Sequence, residues 1–143
     1  MSGQFTTTIN EGFATYQQTT AARGDKVYGS PPKYVYQNYP PLSFHLVGWL
    51  GLLTHDTNVA GRWISFFAYL AIALFVALIV EHFTHSRLSG AFAALCWLIW
   101  LAALDMVRVG YNDPHVLGVA LSLAGLYWFI RDSGSISGLC ISE

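Results

Sequence analysis

Residues 63–80 read WISFFAYLAIALFVALIV, eighteen positions in a row without a charged side chain. Two more uncharged runs follow, 17 residues over 88–104 and 15 residues over 116–130. A helix needs about 20 mostly apolar residues, within a range of roughly 17–25, to cross the hydrocarbon core of a bilayer. The first two runs meet that length, and the third meets it only marginally, with Pro114 and His115 added. We therefore predict an all-α fold with about three transmembrane helices in residues 59–132.

The composition of the whole chain agrees with a membrane protein. Of its 143 residues 54% are hydrophobic and only 10% are charged, and the mean hydropathy is +0.43. Soluble domains carry roughly a quarter charged residues, and so short a soluble chain could not cover three apolar helices. The net charge of −1 disfavours nucleic acid as a partner, since that requires a basic surface. The lipid bilayer is the partner that the composition predicts.

Residues 1–41 differ from the rest because they are polar and rich in tyrosine, glycine and proline. Glycine and proline at this density disfavour a long continuous helix or strand. Residues 11–23 nevertheless suit one helix, with Asn10 as its N-cap. Tyrosines are common at the membrane–water boundary, where an apolar ring carries a polar tip. The first residues lack the pattern of a signal peptide. We predict that residues 1–41 form an extracytoplasmic loop segment.

Residues 42–54, LSFHLVGWLGLLT, decide the topology. Thirteen apolar residues are short for a span and suit a helix lying in the membrane interface, with Pro41 in its first turn. If they span instead, Glu11 and the loop over 108–113 face opposite sides. Arginines at the two boundaries are evenly divided, so the positive-inside rule does not choose between these topologies. Length favours the interfacial helix, which places residues 1–41, 56–62 and 108–113 on one side.

The remaining polar segments are predicted to connect the spans. Residues 56–62 precede the first span, residues 82–87 form a tight connector, and residues 108–113 form the next loop. The third span ends at Arg131 and Asp132. Residues 133–143 are then expected to be flexible at first and to begin a further segment.

Two carboxylates, those of Glu11 and Asp113, lie at the same predicted membrane boundary. A carboxylate beside hydrocarbon is costly, so both are functional candidates. Each also has a structural explanation: Asp113 suits the N-cap ahead of Pro114, and Glu11 suits the first turn of a helix. Arg62 begins the first span, where it either holds a phosphate or extends its charge to the surface.

Other polar residues give weaker signals. Asp105 and Arg108 are three apart and suit a structural pair on one helix face. His82 and His85 have a spacing seen in metal sites, but with no third ligand an ordinary boundary pair is the simpler interpretation. We predict no metal site from the residues; a divalent metal is compatible with glycosyl transfer from a phosphate-linked donor.

Four short motifs occur in a familiar order. They are NEGF over 10–13, NYPPLSF over 38–44, AGR over 60–62 and YNDPH over 111–115. This order and spacing resemble the GT-C membrane glycosyltransferases, in particular the bacterial branch related to protein O-mannosyltransferases and to the aminoarabinose transferases of lipid A. The resemblance covers residues 10 to about 132.

The resemblance implies a function and a set of site residues. Such enzymes take a sugar from a polyprenyl phosphate at the outer face of the membrane, and their first extracytoplasmic loop carries a catalytic acid. Glu11 matches that acid, and Asp113 matches a second acid at the start of a later span. Arg62 falls where a cation faces the lipid-linked phosphate. Substrate-binding candidates beside Arg62 are Tyr39, His115 and Arg108.

The expected chemistry is glycosyl transfer, hexosyl or pentosyl, with a phosphate leaving group. A carboxylate accepts the proton of the attacking hydroxyl as a general base, and a cation or metal stabilises the departing phosphate. The hypothesis gives Glu11 the role of base and Asp113 that of positioning the acceptor or a metal. Arg62 contacts the phosphate.

The chain also departs from the family. Its members have a span before the acidic loop and several more spans afterwards, whereas only ten polar residues precede Glu11. We therefore expect an N-terminal fragment, inactive alone, of an enzyme of the bacterial inner membrane. The alternative is a non-catalytic membrane module of a transporter or an assembly subunit.

Overall fold

The computed structural model describes residues 9–28, 41–104 and 112–139, with the backbone alone at 9, 10, 104 and 133–139. These ranges contain five helices and no strand, which confirms the all-α prediction for the described part of the chain. The helices are α1 Ile9–Ala22, α2 Pro41–Thr54, α3 Thr57–Thr84, α4 Arg87–Leu104 and α5 Pro114–Leu139.

Helices α3, α4 and α5 form a bundle in which α3 packs against both of the others. Ser65 is hydrogen-bonded to the backbone of Asp113, and further along the ring of Phe75 lies 6.0 Å from that of Tyr127. Helices α3 and α5 therefore run parallel, and α4 returns along α3 in the opposite direction. Their shared apolar core consists of Ala68, Tyr69, Ile72, Leu101, Val116 and Ala120.

The turn between α3 and α4 is shorter than predicted. Helix α3 continues to Thr84 and α4 begins at Arg87, so most of the expected connector over 82–87 is helical. His85 ends α3 in the left-handed conformation, with φ of 53°, and its N–H donates to the Glu81 carbonyl oxygen at 2.8 Å. A side chain at Gly90 would lie 2.6 Å from the Ala77 carbonyl oxygen, so glycine permits the close approach of the two helices.

The corner between α2 and α3 also differs from the predicted connector. Helix α2 begins at Pro41, as expected, and His55 after its end has a φ of 59°. The Asp56 carboxylate accepts hydrogen bonds from the backbone of Asn58 at 2.9 Å and Val59 at 3.1 Å. This N-cap starts α3 at Thr57, so residues 57–62 belong to the helix rather than to a connector.

Helix α1 packs on α2, and both lie at the end of the bundle where α3 and α5 begin. It starts at Ile9, two residues earlier than predicted, so Asn10 lies within the helix and is not its N-cap. A small apolar cluster of Ala21, Val27 and Phe44 joins the two helices. Tyr28 packs beside Phe44 at a ring distance of 6.5 Å, and burial raises the pKa of its phenol.

Helix α5 is longer than expected. The Asp113 side chain caps its first turn, and the backbone stays helical to Leu139. The prediction of a flexible stretch after Asp132 was therefore wrong as far as Leu139. Residues 140–143 lie outside the described residues, so the proposed further segment stays a prediction.

Large apolar side chains cover the outside of the bundle. Among the described residues, α3 is the one helix long and apolar enough to cross a membrane, while α2 and residues 87–103 form shorter apolar helices. Only 28% of the most apolar 18-residue window of α3 is buried. The most exposed large apolar side chains on the three bundle helices are Trp63, Phe67, Phe83, Leu88, Phe92, Ile99, Trp128 and Phe129.

Candidate functional site at the helix N-termini

The candidate site starts from one face of α1. Residues four and seven apart on a helix share a face, so Glu11, Thr15 and Gln18 point the same way. All three side chains are polar and nearly inaccessible to solvent. Their partners are the first turns of α3 and the residues just before α5. Helix α1 thus packs against the bundle through its polar face.

Glu11 is the centre of this contact. Its Oε1 accepts a hydrogen bond from Arg62 Nε at 2.8 Å, and its Oε2 accepts one from Arg62 Nη2 at 3.1 Å. The backbone N–H of Asn112 also donates to Oε1, at 3.1 Å. The Glu11 side chain is 0% exposed, whereas that of Arg62 is 35% exposed. A buried carboxylate is tolerated only with such charge-assisted partners.

Asn112 joins α1 to the start of α5. Its side-chain amide exchanges two hydrogen bonds with that of Gln18: Gln18 Nε2 donates to Asn112 Oδ1 at 2.8 Å, and Asn112 Nδ2 donates back to Gln18 Oε1. Both side chains are buried, so each amide replaces the water that the other has lost. A Cβ at Gly61 would collide with the Asn112 side chain, and glycine therefore makes room for this pair.

Two hydroxyl contacts continue the polar interface along α1. Thr15 Oγ1 donates to Asn58 Oδ1 at 3.3 Å, and Thr19 Oγ1 lies 3.5 Å from Thr57 Oγ1. As the residue number rises along α1, the partner's number on α3 falls. The two helices therefore run antiparallel over the first turns of α3.

Asp113 follows Asn112 and lies beside α3. Its backbone N–H donates to Ser65 Oγ at 3.0 Å. Its Oδ1 accepts from the His115 backbone N–H at 2.9 Å and lies 3.2 Å from His115 Nδ1. The predicted N-cap is confirmed, since this carboxylate satisfies a free N–H of the first turn of α5. The Asp113 side chain is 16% exposed and that of His115 62% exposed.

The structure brings together four of the six predicted site residues. Glu11 and Arg62 pair directly, and Asp113 and His115 lie next to Asn112, which contacts Glu11. The other two, Tyr39 and Arg108, lie outside the described residues. So does Asp105, the expected partner of Arg108.

The geometry limits what each group does in this conformation. Glu11 has no exposed surface, so it reaches no acceptor hydroxyl unless α1 moves. Arg62 is partly exposed, but its Nε and Nη2 both bind Glu11, so a phosphate would have to compete with that carboxylate for them. His115 is the most exposed of these four side chains, and Arg62 and Asp113 are partly exposed.

Metal ligands do not assemble in the described part of the chain. No group of three or more His, Cys, Asp or Glu side chains there could hold a metal ion. His82 lies in the last turn of α3 and His85 follows it, at the opposite end of the bundle from Glu11. A divalent metal at the candidate site stays a hypothesis.

The sequence did not predict the uncharged polar residues of this site. Gln18, Asn112 and Ser65 were given no role, although Asn112 lies within the YNDPH motif. One signal was present: polar side chains recur at positions 11, 15, 18 and 19, which marks a polar helix face. Nothing in the sequence showed that this face is buried.

Comparison with known proteins adds no family to this description. No protein-family model matches the chain, and no match is found among curated proteins or solved structures.

Proposed function

We propose that this chain is part of a membrane glycosyltransferase that takes a sugar from a polyprenyl phosphate on the extracytoplasmic face. The observation that supports this most is the convergence of Glu11, Arg62 and Asp113. These residues come from three segments far apart in the sequence and meet at one end of the bundle. They are also the residues that the GT-C resemblance singled out.

The lengths of the uncharged stretches support a bilayer around the bundle. Eighteen residues separate Arg62 from Glu81 on α3, and seventeen separate Asp113 from Arg131 on α5. At 1.5 Å per residue these stretches span about 27 and 26 Å, close to the ~30 Å of a hydrocarbon core. Because α3 and α5 are parallel, their charged ends lie at the same two levels.

Aromatic residues mark these levels as well. Trp63 adjoins Arg62 and contacts the rings of Phe66 and Phe67. At the other end the Arg131 guanidinium lies 5.5 Å from the centre of the Trp128 ring. Tryptophan and arginine are favoured where a span meets the headgroups. The candidate site then lies at one membrane surface, within reach of a lipid-linked donor.

The charges of the site suit the proposed reaction. A guanidinium fork binds phosphate oxygens as well as carboxylates, so Arg62 suits the donor phosphate. A carboxylate near the acceptor hydroxyl removes its proton as the new C–O bond forms and the phosphate departs. Asp113, with His115 beside it, is the accessible candidate for this proton transfer, and Glu11 becomes available only when its ion pair opens.

One observation favours the alternative of a non-catalytic membrane module. All the contacts of Glu11 and Arg62 described above hold α1 against the bundle. An ion pair that holds α1 against α3 has a purely structural explanation and needs no catalytic role. On this alternative, Asp113 is only the N-cap of α5.

A transfer assay separates the two functions. Membranes carrying the chain within its full reading frame are incubated with a radiolabelled polyprenyl-phosphate hexose or pentose, and labelled acceptor is counted. We expect Asp113→Asn and Glu11→Gln to lower transfer at least 100-fold, in line with the loss of a general base. The matched control Asp132→Asn, at an exposed position near the other end of α5, stays within twofold. Unchanged transfer by Asp113→Asn, or no transfer by the unaltered protein, would favour the non-catalytic module.

A further inference from the structure

We propose that the Glu11–Arg62 ion pair is a latch, which a phosphate headgroup opens by displacing the Glu11 carboxylate from Arg62. This inference rests on the proposed function for the nature of the ligand, a phosphate on an isoprenoid chain. It adds a regulation of the same site: the structure represents the closed state, and α1 is the element that moves.

The two ends of the ion pair differ in access. Arg62 is 35% exposed and Glu11 is 0% exposed, so an incoming anion reaches the guanidinium but not the carboxylate. Arg62 presents Nε and Nη2 side by side to the two carboxylate oxygens. Two oxygens of a phosphate fit the same fork, which makes phosphate and Glu11 competitors for one binding geometry.

The Glu11 carboxylate and a phosphate cannot both bind Arg62 stably at the same time. A phosphate on this fork would lie within a few ångströms of the Glu11 carboxylate, and like charges at such a distance repel strongly where water is excluded. A carboxylate that stays buried after losing its guanidinium is also costly. Displaced from Arg62, Glu11 therefore has to move into water, and the start of α1 moves with it.

The interface of α1 with α3 is of a kind that opens at low cost. Apart from the ion pair, its described hydrogen bonds join hydroxyl and amide groups, Thr15 with Asn58 and Thr19 with Thr57, and water can replace them. The apolar residues that α1 buries are small, Ala14 and Ala21. The ion pair is the charged contact between α1 and α3, and in its later turns α1 also packs on α2, through Ala21 beside Phe44.

Opening the latch also affects Asp113, because its neighbour Asn112 is hydrogen-bonded to α1. Three hydrogen bonds to α1 hold Asn112, one from its backbone to Glu11 and two between its amide and Gln18. When α1 leaves, the residue directly before Asp113 loses all three. Ligand binding then frees Glu11 and loosens Asp113 in a single event.

Binding to the purified chain tests the competition. The protein is held in dodecyl maltoside micelles and a phosphate-free buffer, and it is titrated with farnesyl phosphate, with farnesol and with inorganic phosphate. We expect Glu11→Gln to bind farnesyl phosphate at least tenfold more tightly than the unaltered protein, because the competing carboxylate is gone. Arg62→Gln loses this binding. Farnesol binding does not change, and an equal gain for inorganic phosphate would identify free phosphate as the ligand.

The control is the same substitution at the other end of the bundle. Glu81 pairs with Arg87 at 3.4 Å on the surface, so Glu81→Gln should leave farnesyl phosphate binding unchanged. If Glu11→Gln binds as weakly as the unaltered protein, or does not bind at all, the latch is wrong.

Hydrogen exchange gives a second measurement that needs no substitution. Saturating farnesyl phosphate should speed amide exchange over residues 9–22 of the unaltered protein at least tenfold and leave residues 64–80 unchanged. Bound ligand with α1 still protected would overturn the proposal, even if Glu11→Gln fails to fold. The sugar-transfer assay is separate, since a chain that transfers no sugar but shows both effects has the latch without the enzyme.

Discussion

At the scale of single residues, the contact between Glu11 and Arg62 dominates the site. Its carboxylate is fully buried and its guanidinium partly exposed. Removing one partner of an ion pair destabilises the fold mainly because the other group loses its counter-charge. The loss of stability is largest when the remaining group is a buried charge. The exposed pair of Glu81 and Arg87 offers a comparison within the same chain.

The first prediction compares these two ion pairs. Arg62→Gln should lower the free energy of unfolding by about 3 kcal/mol, because it leaves a buried carboxylate without its cation. Arg87→Gln should change it by less than about 0.5 kcal/mol, since an exposed pair contributes little. Thermal unfolding in detergent, followed by circular dichroism, measures both. Equal losses would mean that Glu11 is not buried as described.

The second prediction compares two glycines. Gly61→Ala should cost about 1–3 kcal/mol, because the new methyl group collides with the Asn112 side chain. Gly118→Ala should stabilise the protein by up to about 1 kcal/mol, since nothing lies within 4 Å of a Cβ there and alanine favours helix. The same unfolding experiment distinguishes them. A neutral Gly61→Ala would place Asn112 elsewhere.

At the scale of elements, the corner between α2 and α3 sets where Arg62 lies. Helix α2 ends at Thr54, His55 adopts the left-handed conformation and Asp56 caps α3. This tight corner adds six helical residues, 57–62, or about one and a half turns, ahead of the uncharged stretch. Arg62 therefore projects from a formed helix, which fixes its position relative to Glu11.

The third prediction concerns that cap. Asp56→Ala should lower the stability by about 1 kcal/mol, because two backbone N–H groups lose their acceptor. Hydrogen exchange over residues 57–60 should quicken more than over 64–80. Asp25→Ala, in an exposed loop, is the control and should change neither quantity. No loss from Asp56→Ala would show that another group starts α3.

The helices also show which signals in the sequence are sufficient to predict where a helix begins. Pro41 and the Asp113–Pro114 step mark helix starts correctly because capping and proline geometry act within one turn. The start of α3 was predicted too late, because the prediction followed the uncharged run and not the N-cap signal of Asp56. The polar stretch after Asp132 looked flexible, yet it continues α5.

The candidate site was harder to predict than the helices. Glu11 and Arg62 are 51 positions apart, and Gln18 and Asn112 are 94 apart. No periodicity links residues at such separations, so their contacts follow only from the packing of α1 against the bundle. The GT-C resemblance named Glu11, Arg62 and Asp113 without showing that Glu11 and Arg62 bind each other.

At the scale of the whole molecule, two kinds of surface meet. The bundle is apolar outside and inside, whereas α1 presents a polar face to the start of α3 and to Asn112, just before α5. This arrangement suits a membrane-embedded bundle with one surface layer. The membrane embedding that we propose requires α1 and the start of α5 to share a side of the bilayer, with the α3–α4 turn on the other.

Cysteine labelling in intact spheroplasts tests that requirement most directly. In a chain with Cys96 and Cys140 replaced by alanine, single cysteines are placed at Arg23, His115 and Arg87, which are all exposed. We predict that a membrane-impermeant maleimide labels Arg23→Cys and His115→Cys in intact spheroplasts, and Arg87→Cys only after permeabilisation. Labelling of Arg23→Cys and His115→Cys from opposite sides of the membrane would contradict the account, because Glu11 and Asp113 could not then share a site.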